Sequence, residues 1–334
     1  MKISASIYSD KKRPLKEVIT DLVSHQVDLL HVDCNDDETV FDDIALIREW
    51  CSLPIDLHII TDKPSKYYSL LEKYPVEYIT FQYEDLKQPI KFPDSITGKK
   101  GLAVITPTDV SVFDEYNTFD FILIMETVPG QSGGKFDPIN FKKIRDFQRK
   151  YPTKSIHVDG GVNGEVSFIL RTMGVSSSVS GSYLFNEPSI GQALMNLTKR
   201  NLESHFLIRD FMIPIAESPV IKECEITLKS VLETIEDGKL GFCLVTDEHN
   251  KYKGLISNAD VRKTLIREFE SLPKINVSGL LNSDAVGLNQ QETVNDMLQL
   301  IKSKSFPITY LPIWDDEKNA VGIVTFVNLI RGEL

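Results

Sequence analysis

Three short runs in this 334-residue chain carry side chains able to hold a divalent cation and to move protons. Leu29 to Asp33 reads L-L-H-V-D, Ile55 to Ile59 reads I-D-L-H-I, and Ser155 to Gly161 reads S-I-H-V-D-G-G. Each is strand-like, and residues two apart on a strand share a face, so His31 and Asp33 project together. His58 and Asp159 stand at two further strand ends. Two imidazoles and two carboxylates so placed could hold one divalent metal and leave room for substrate oxygens. A lone H-x-D on a strand is more often a hydrogen-bonded core histidine, so the reading depends on what surrounds these runs.

The surroundings are regular through residue 200. Strands are expected at Ile3–Ile7, Asp28–Val32, Ile55–Ile59, Tyr78–Phe81, Gly101–Ile105, Phe119–Met125, Ser155–Val158 and Ser178–Ser180. Amphipathic segments lie between them at Leu15–His25, Phe41–Trp50, Ser65–Tyr74, Phe141–Lys150 and Val166–Met173, punctuated at Pro54, Pro75, Pro152 and Gly174. Eight strands alternating with helices imply an α/β protein of the (β/α)8 barrel (TIM barrel) type, whose active site lies at the C-terminal strand ends. The candidate ligands fall there. The loop P-G-Q-S-G-G at Pro129–Gly134 and the pairs Gly160–Gly161 and Gly181–Ser182 follow strands six, seven and eight. Any one alone is a tight turn, but the three together favour a phosphate cradle. Gly130, Ser132, Gly133, Gly134, Gly160, Gly161 and Gly181 would form it, Ser182 would add a hydroxyl, and Pro129–Gly134 would be the lid.

Length predicts about two domains. Hydrophobic residues make up 42% and charged residues 25%, enough for large cores, and no apolar run approaches membrane-spanning length. The opening M-K-I-S-A-S-I-Y-S-D reads as a strand entering a turn and not as a signal peptide, so a cytoplasmic protein is expected. Cys34, Cys51, Cys224 and Cys243 have no C-x-x-C spacing, which argues against a structural zinc site or a disulfide framework. A net charge of -11 disfavours nonspecific binding to nucleic acid or membrane surfaces.

The first 200 residues resemble the ribulose-phosphate 3-epimerase family in seven motifs that occur in the family's order. They are S-I-x-S at Ser6–Ser9, H-V-D at His31–Asp33, D-L-H at Asp56–His58, I-T-P at Ile105–Pro107, M-x-x-x-P-G-x-x-G-x-K-F at Met125–Phe136, V-D-G-G-V at Val158–Val162 and V-S-G-S at Val179–Ser182. The resemblance implies that His31, Asp33, His58 and Asp159 hold a catalytic divalent metal, with Zn, Fe(II), Mn and Co all suited to the donor set. It also implies that Asp33 and Asp159 form the acid/base pair and that Ser6 and Met125 touch substrate. Some positions depart from the family pattern. Asn35 and Ile60 stand where methionines usually cap the substrate, Gln82 replaces the histidine of F-H-x-E, and His157 replaces an acidic residue two before Asp159. Gln82 and His157 either exchange roles in one hydrogen-bond network or are two independent core changes.

Beyond residue 202 the alternation gives way to a two-copy repeat. Thr227-Leu-Lys-Ser-Val-Leu, Leu244-Val-Thr-Asp-Glu and Lys253-Gly-Leu-Ile-Ser return as Thr293-Val-Asn-Asp-Met-Leu, Pro312-Ile-Trp-Asp-Asp and Val321-Gly-Ile-Val-Thr. The tail resembles a pair of cystathionine β-synthase-type (CBS) domains, a regulatory module that often binds adenine nucleotides. The expected division is 1–202 for the barrel and 205–334 for the pair, with repeats at about 207–270 and 275–334. The resemblance implies nucleotide contacts at Ser257 and Asp260 in the first copy, with Arg262 and Lys263 nearby. In the second copy it implies Thr325, where Asn328 replaces the aspartate. The competing reading is that serine and aspartate at such turns merely cap helices.

The sequence thus points to a metal-dependent 3-epimerase of a sugar phosphate, of the D-ribulose 5-phosphate/D-xylulose 5-phosphate type. Its tail would sense an adenine nucleotide or set a homo-oligomeric state. The alternatives are an epimerase of another ketose phosphate, such as a six-carbon sugar, and a non-catalytic sensor.

Overall fold

Parallel strands covered on both faces read as near-continuous apolar runs, so a polar residue inside one stands out. The computed structural model describes residues 1–126, 134–198, 206–269 and 277–327. The chain divides into two units, 1–202 and 203–327, each described here by itself.

In the first unit eight strands close into a barrel in chain order. They are β1 (Lys2–Ser6), β2 (Leu29–Asn35), β3 (Ile55–Ile60), β4 (Tyr78–Gln82), β5 (Lys99–Ile105), β6 (Phe121–Met125), β7 (Ser155–Asp159) and β8 (Ser177–Ser180). All neighbours are parallel, with rungs that set Ser6 beside His31, His31 beside Asp56, Asp33 beside His58 and Met125 beside Asp159. The polar set is thereby stacked on the interior face, while Leu30, Val32 and Cys34 of β2 are fully buried against the outer layer. That layer contains α1 (Leu15–Ser24), α2 (Val40–Trp50), α3 (Tyr68–Lys73), α4 (Ile139–Lys150), α5 (Gly164–Met173), α6 (Ser182–Asn186) and α7 (Ile190–Thr198). On α1, Val18, Ile19 and Leu22 form the buried stripe expected of 3.6-residue periodicity. α5 starts at Asn163, whose side chain accepts the Val166 N–H at 3.0 Å, and stops at Gly174 in the left-handed region.

Two crossovers lack an α-helix. Between β4 and β5 there is only a 3-10 turn at Tyr83–Asp85, and between β5 and β6 a 3-10 segment at Val110–Tyr116. Pro89 and Pro93 remove donors and disfavour a helix in the first of these, and Pro107 limits where one could begin in the second.

The second unit contains α8 (Ile208–Phe211), β9 (Ile213–Pro214), β10 (Val220–Lys222), α9 (Leu228–Gly238), β11 (Phe242–Thr246), β12 (Tyr252–Ser257) and α10 (Asn258–Arg267). These are followed by β13 (Leu288–Asn289), α11 (Val294–Ser303), β14 (Tyr310–Trp314) and β15 (Ala320–Thr325). The sheets run β10-β11-β12 and β13-β14-β15-β9, so the first strand of one repeat closes the sheet of the other. Ile213 pairs with Ile323 in that sheet, and in the other direction a single bridge joins Asn282 to Leu255. Glycine is required at both crossings, because a Cβ on Gly254 would lie 2.5 Å from Asn282 O and one on Gly322 would lie 2.4 Å from Ile213 O. The hairpin tips match as well, with Tyr252 N–H donating to Lys318 O at 2.9 Å and Ala320 N–H to Asn250 O at 3.0 Å. β11 is buried on both faces: Cys243 and Val245 join the core of their own repeat, while Phe242 and Leu244 pack with Ile323 of the other. Among the described residues no helix is long and apolar enough to cross a membrane.

Candidate active site at the mouth of the barrel

His31 is fully buried within β2 between two carboxylates, with Nδ1 3.0 Å from Asp56 Oδ2 and Nε2 3.3 Å from Asp33 Oδ1. Asp56 Oδ2 also accepts the Ser4 hydroxyl at 3.0 Å, so one buried acceptor fixes the proton on Nδ1 and aims Nε2 into the mouth. Asp159 Oδ2, from β7, lies 3.9 Å from that same Nε2. Burial opposes charge on His31, but Asp33 and Asp56 more than offset it and hold the ring well above its usual pKa. A bound cation would take the place of the Nε2 proton, so loading should release protons.

His58 is oriented by a second relay. Its Nε2 is 2.9 Å from Gln82 Oε1, while the Gln82 amide donates to Glu84, which also accepts the Ile105 N–H at 3.0 Å and the Thr108 hydroxyl. An ionised carboxylate only accepts, so Glu84 turns the amide NH2 toward itself and leaves Oε1 for His58 Nε2–H. His58 Nδ1 is then a lone pair facing Asp33 Oδ1 at 3.3 Å. Two acceptors so placed are poorly satisfied without a cation, and the donor set therefore fits one. Ligand atoms of His31, His58 and Asp159 lie within 4.8 Å of one another, and Asp33 Oδ1 touches both rings.

The two candidate proton-transfer carboxylates sit in different fields. Burial raises Asp33, but the charge and hydrogen bond of the His31 ring outweigh it and hold the group well below the usual carboxylate range. Burial pushes Asp159 up to about 6, with the Asp33 charge adding to the rise and His31 opposing it. Both keep some exposure, 21% for Asp33 and 17% for Asp159, as groups that meet a substrate must.

Ser6 is buried at the end of β1 and accepts the Ser9 hydroxyl at 3.1 Å; Met125 is buried on the same rung as Asp159. A Cβ on Gly181 would meet Ser9 Oγ at 2.2 Å, so the ends of β1 and β8 converge. Gly160 and Gly161 have φ of 105° and 63° after β7, and Ser182 opens α6. Gly134 is exposed. Gly130, Ser132 and Gly133 lie outside the described residues. Asn35 is exposed at the mouth and Ile60 half-buried. Gln82 and His157 do not share a hydrogen bond. His157 lies lower in the barrel, stacked on Phe121 at 4.1 Å, where burial pushes its ring down to about 4. Asp56, Ser4 and Glu84 were not singled out from the sequence as site residues. Period-two spacing from His58 and Ser6 would have marked Asp56 and Ser4 as inward-facing, whereas their partners could be found only from strand register.

In the tail, Ser257 Oγ donates to Asp260 Oδ2 at 2.5 Å, and each residue's backbone N–H meets the other's side chain, at 3.0 and 3.3 Å. The pair is a reciprocal cap on α10. Thr325 ends β15 half-buried, and Asn328 lies outside the described residues.

A closed eight-stranded parallel barrel with helices outside it and a convergent His/Asp cluster at its mouth defines a TIM-barrel enzyme. The ribulose-phosphate 3 epimerase family model matches residues 2–185, more than half of the chain, and the chain belongs to that family, whose members are isomerases acting on carbohydrate phosphates. The chain is 31% identical over 228 residues to a ribulose-phosphate 3-epimerase of Methanocaldococcus jannaschii, spanning 64% of this chain and 95% of that protein. It is 25% identical over 212 residues to one of Bacillus subtilis, spanning 59% and 98%. The CBS domain model matches residues 277–333. A CBS-pair protein of Arabidopsis thaliana is similar at 21% identity, covering 38% of this chain and 94% of that one, with a TM-score of 0.32.

Proposed function

We propose that the barrel epimerises a pentulose phosphate at C3, interconverting D-ribulose 5-phosphate and D-xylulose 5-phosphate. The observation that carries this is the placement of Asp33 and Asp159 on strands five apart in chain order, both beside His31 Nε2 at 3.3 and 3.9 Å. One carboxylate removes the C3 proton from one face, an enediolate forms, and the other returns a proton to the opposite face. His31, Asp33, His58 and Asp159 would hold a divalent cation, which when bound supplies fixed positive charge beside the oxygen that becomes negative. Ser6 and Met125 border the substrate. The described glycines Gly134, Gly160, Gly161 and Gly181, with Ser182, hold its phosphate. Solvent deuterium incorporation at C3 across a panel of ketose phosphates tests the assignment. Exchange should be fastest with the pentulose phosphates, and exchange only with a six-carbon ketose phosphate would overturn it.

We assign 1–202 to this activity and 205–334 to a nucleotide-binding pair, supported by the G-L-I-S-N-A-D run at Gly254–Asp260. Ser257 and Asp260 would exchange part of their mutual cap for phosphate and ribose oxygens. Calorimetry of the full chain with AMP and ATP tests this, and silence at millimolar nucleotide removes the sensing role.

A further inference from the structure

The end of the barrel opposite the carboxylates is open to a cavity of about 300 Å³, whose lining includes Lys2, Tyr78, Lys99, Phe121, His157 and Ser177. Lys2 comes from β1 and Lys99 from β5, yet both ammonium groups stand 5.7 Å from the centroid of the same Tyr78 ring. Lys2 Nζ is also 3.3 Å from Tyr78 Oη. Both lysines line this one cavity, so an anion entering it would meet two positive charges. The one carboxylate in the lining, Asp120, accepts the Lys100 N–H at 2.8 Å and offsets one of the two lysine charges, which leaves the lining net positive. Deeper in the wall, His157 and Ser177 are 4% and 2% exposed, and His157 Nδ1 and Ser177 Oγ have no hydrogen-bond partner. Buried polar atoms are nearly always paired, so these two point to a ligand or water that they would meet. His157 stands where the family's usual residue is acidic, and an imidazole there removes a charge that would repel an anion.

We propose that this cavity binds a small dianion of the phosphoryl type, held by the Lys2 and Lys99 ammonium groups with the Ser177 hydroxyl as a neutral donor and the His157 ring lining the pocket. The site is separate from the substrate's phosphate at the mouth and stands whether or not the epimerase assignment holds. Inorganic phosphate and a phosphate monoester share this chemistry. A second cavity of about 540 Å³, which shares Lys2 and Ser176 with the first, gives a monoester's organic part somewhere to lie.

Crystals of the full chain soaked in selenate, which scatters anomalously, should show a peak in this cavity. Selenate at the mouth alone would overturn the proposal. In solution, calorimetry with inorganic phosphate should find one more site per chain in the wild type than in a Lys2→Ala/Lys99→Ala double variant, and equal stoichiometry in the two overturns it. The double variant should keep wild-type turnover in phosphate-free buffer, because neither lysine is near the mouth. Glycerol 3-phosphate binding at least tenfold tighter than phosphate at this site identifies a monoester as its ligand; equal or weaker binding identifies inorganic phosphate.

Discussion

Carboxylates that accept hydrogen bonds from side chains occur in both units, and they do opposite things. In the barrel, Asp33 at the mouth and Asp56 below it reach imidazoles on neighbouring strands, and the contacts between β2 and β3 join residues 25 positions apart in sequence. In the tail, Asp260 reaches back three residues to Ser257 and closes a local cap. A side chain whose partners are local is explained by the turn it stabilises. One whose partners arrive from other strands, and which keeps an exposed edge, has no such local reason for being there.

The comparison breaks first at the two carboxylates. Asp33→Asn and Asp159→Asn should each lower epimerisation by about 10²–10⁴, the usual worth of a general acid or base. The measurement must be made on protein shown to retain metal, since both are also proposed as ligands. Near-wild-type rates in either variant would return that aspartate to the structural class.

Metal content is the next lever. His31→Ala/His58→Ala should abolish stoichiometric binding. Asp56→Asn and Gln82→Ala, which touch only the far nitrogens of the rings, should weaken it by about 10–100-fold, the usual cost of losing an outer-shell partner. Gln82→His, which restores the family's usual residue, should recover most of the affinity. Unchanged metal affinity in Gln82→Ala would show that Glu84 and Gln82 do not orient His58.

Much of this was legible in the sequence because the barrel strands are punctuated by turns and because inward polar residues repeat every second position. The partners were not legible. Which of Asp56 and Asp33 faces which nitrogen of His31 depends on the β2–β3 register, which local sequence leaves open. The two crossovers without an α-helix were equally hidden, since proline marks where a helix fails without saying what replaces it.

In the tail, Asp260→Ala should cost about 0.5–2 kcal/mol of stability through the lost cap, with or without nucleotide. If the pair also binds nucleotide, affinity should fall by a further about 1.5–3 kcal/mol, the range for a charged hydrogen bond. Equal melting shifts with and without AMP would leave only the cap.

The smallest effect is expected at Glu126, beside the mouth, where burial raises the carboxyl to about 7 although the Asp137 N–H donates to it at 2.8 Å. A raised carboxyl binds its proton more tightly folded than unfolded, so stability should fall as pH rises from about 4.5 to about 7. Glu126→Gln should flatten that slope, and melting curves at pH 5 and pH 8 would read it. An unchanged slope would mean that the group titrates normally.

The strand exchange in the tail has a consequence for assembly. Each repeat is met by backbone from the other, a strand at Ile213 against Ile323 and a single bridge at Asn282 against Leu255, and nothing in those pairings requires the donor to be on the same molecule. Only tethering decides, because a partner on the same chain is present at an effective concentration in the millimolar range that a second molecule seldom matches. Shortening the connection between the repeats, or refolding at very high protein concentration, should therefore yield interlocked dimers in which each molecule completes the other's sheets.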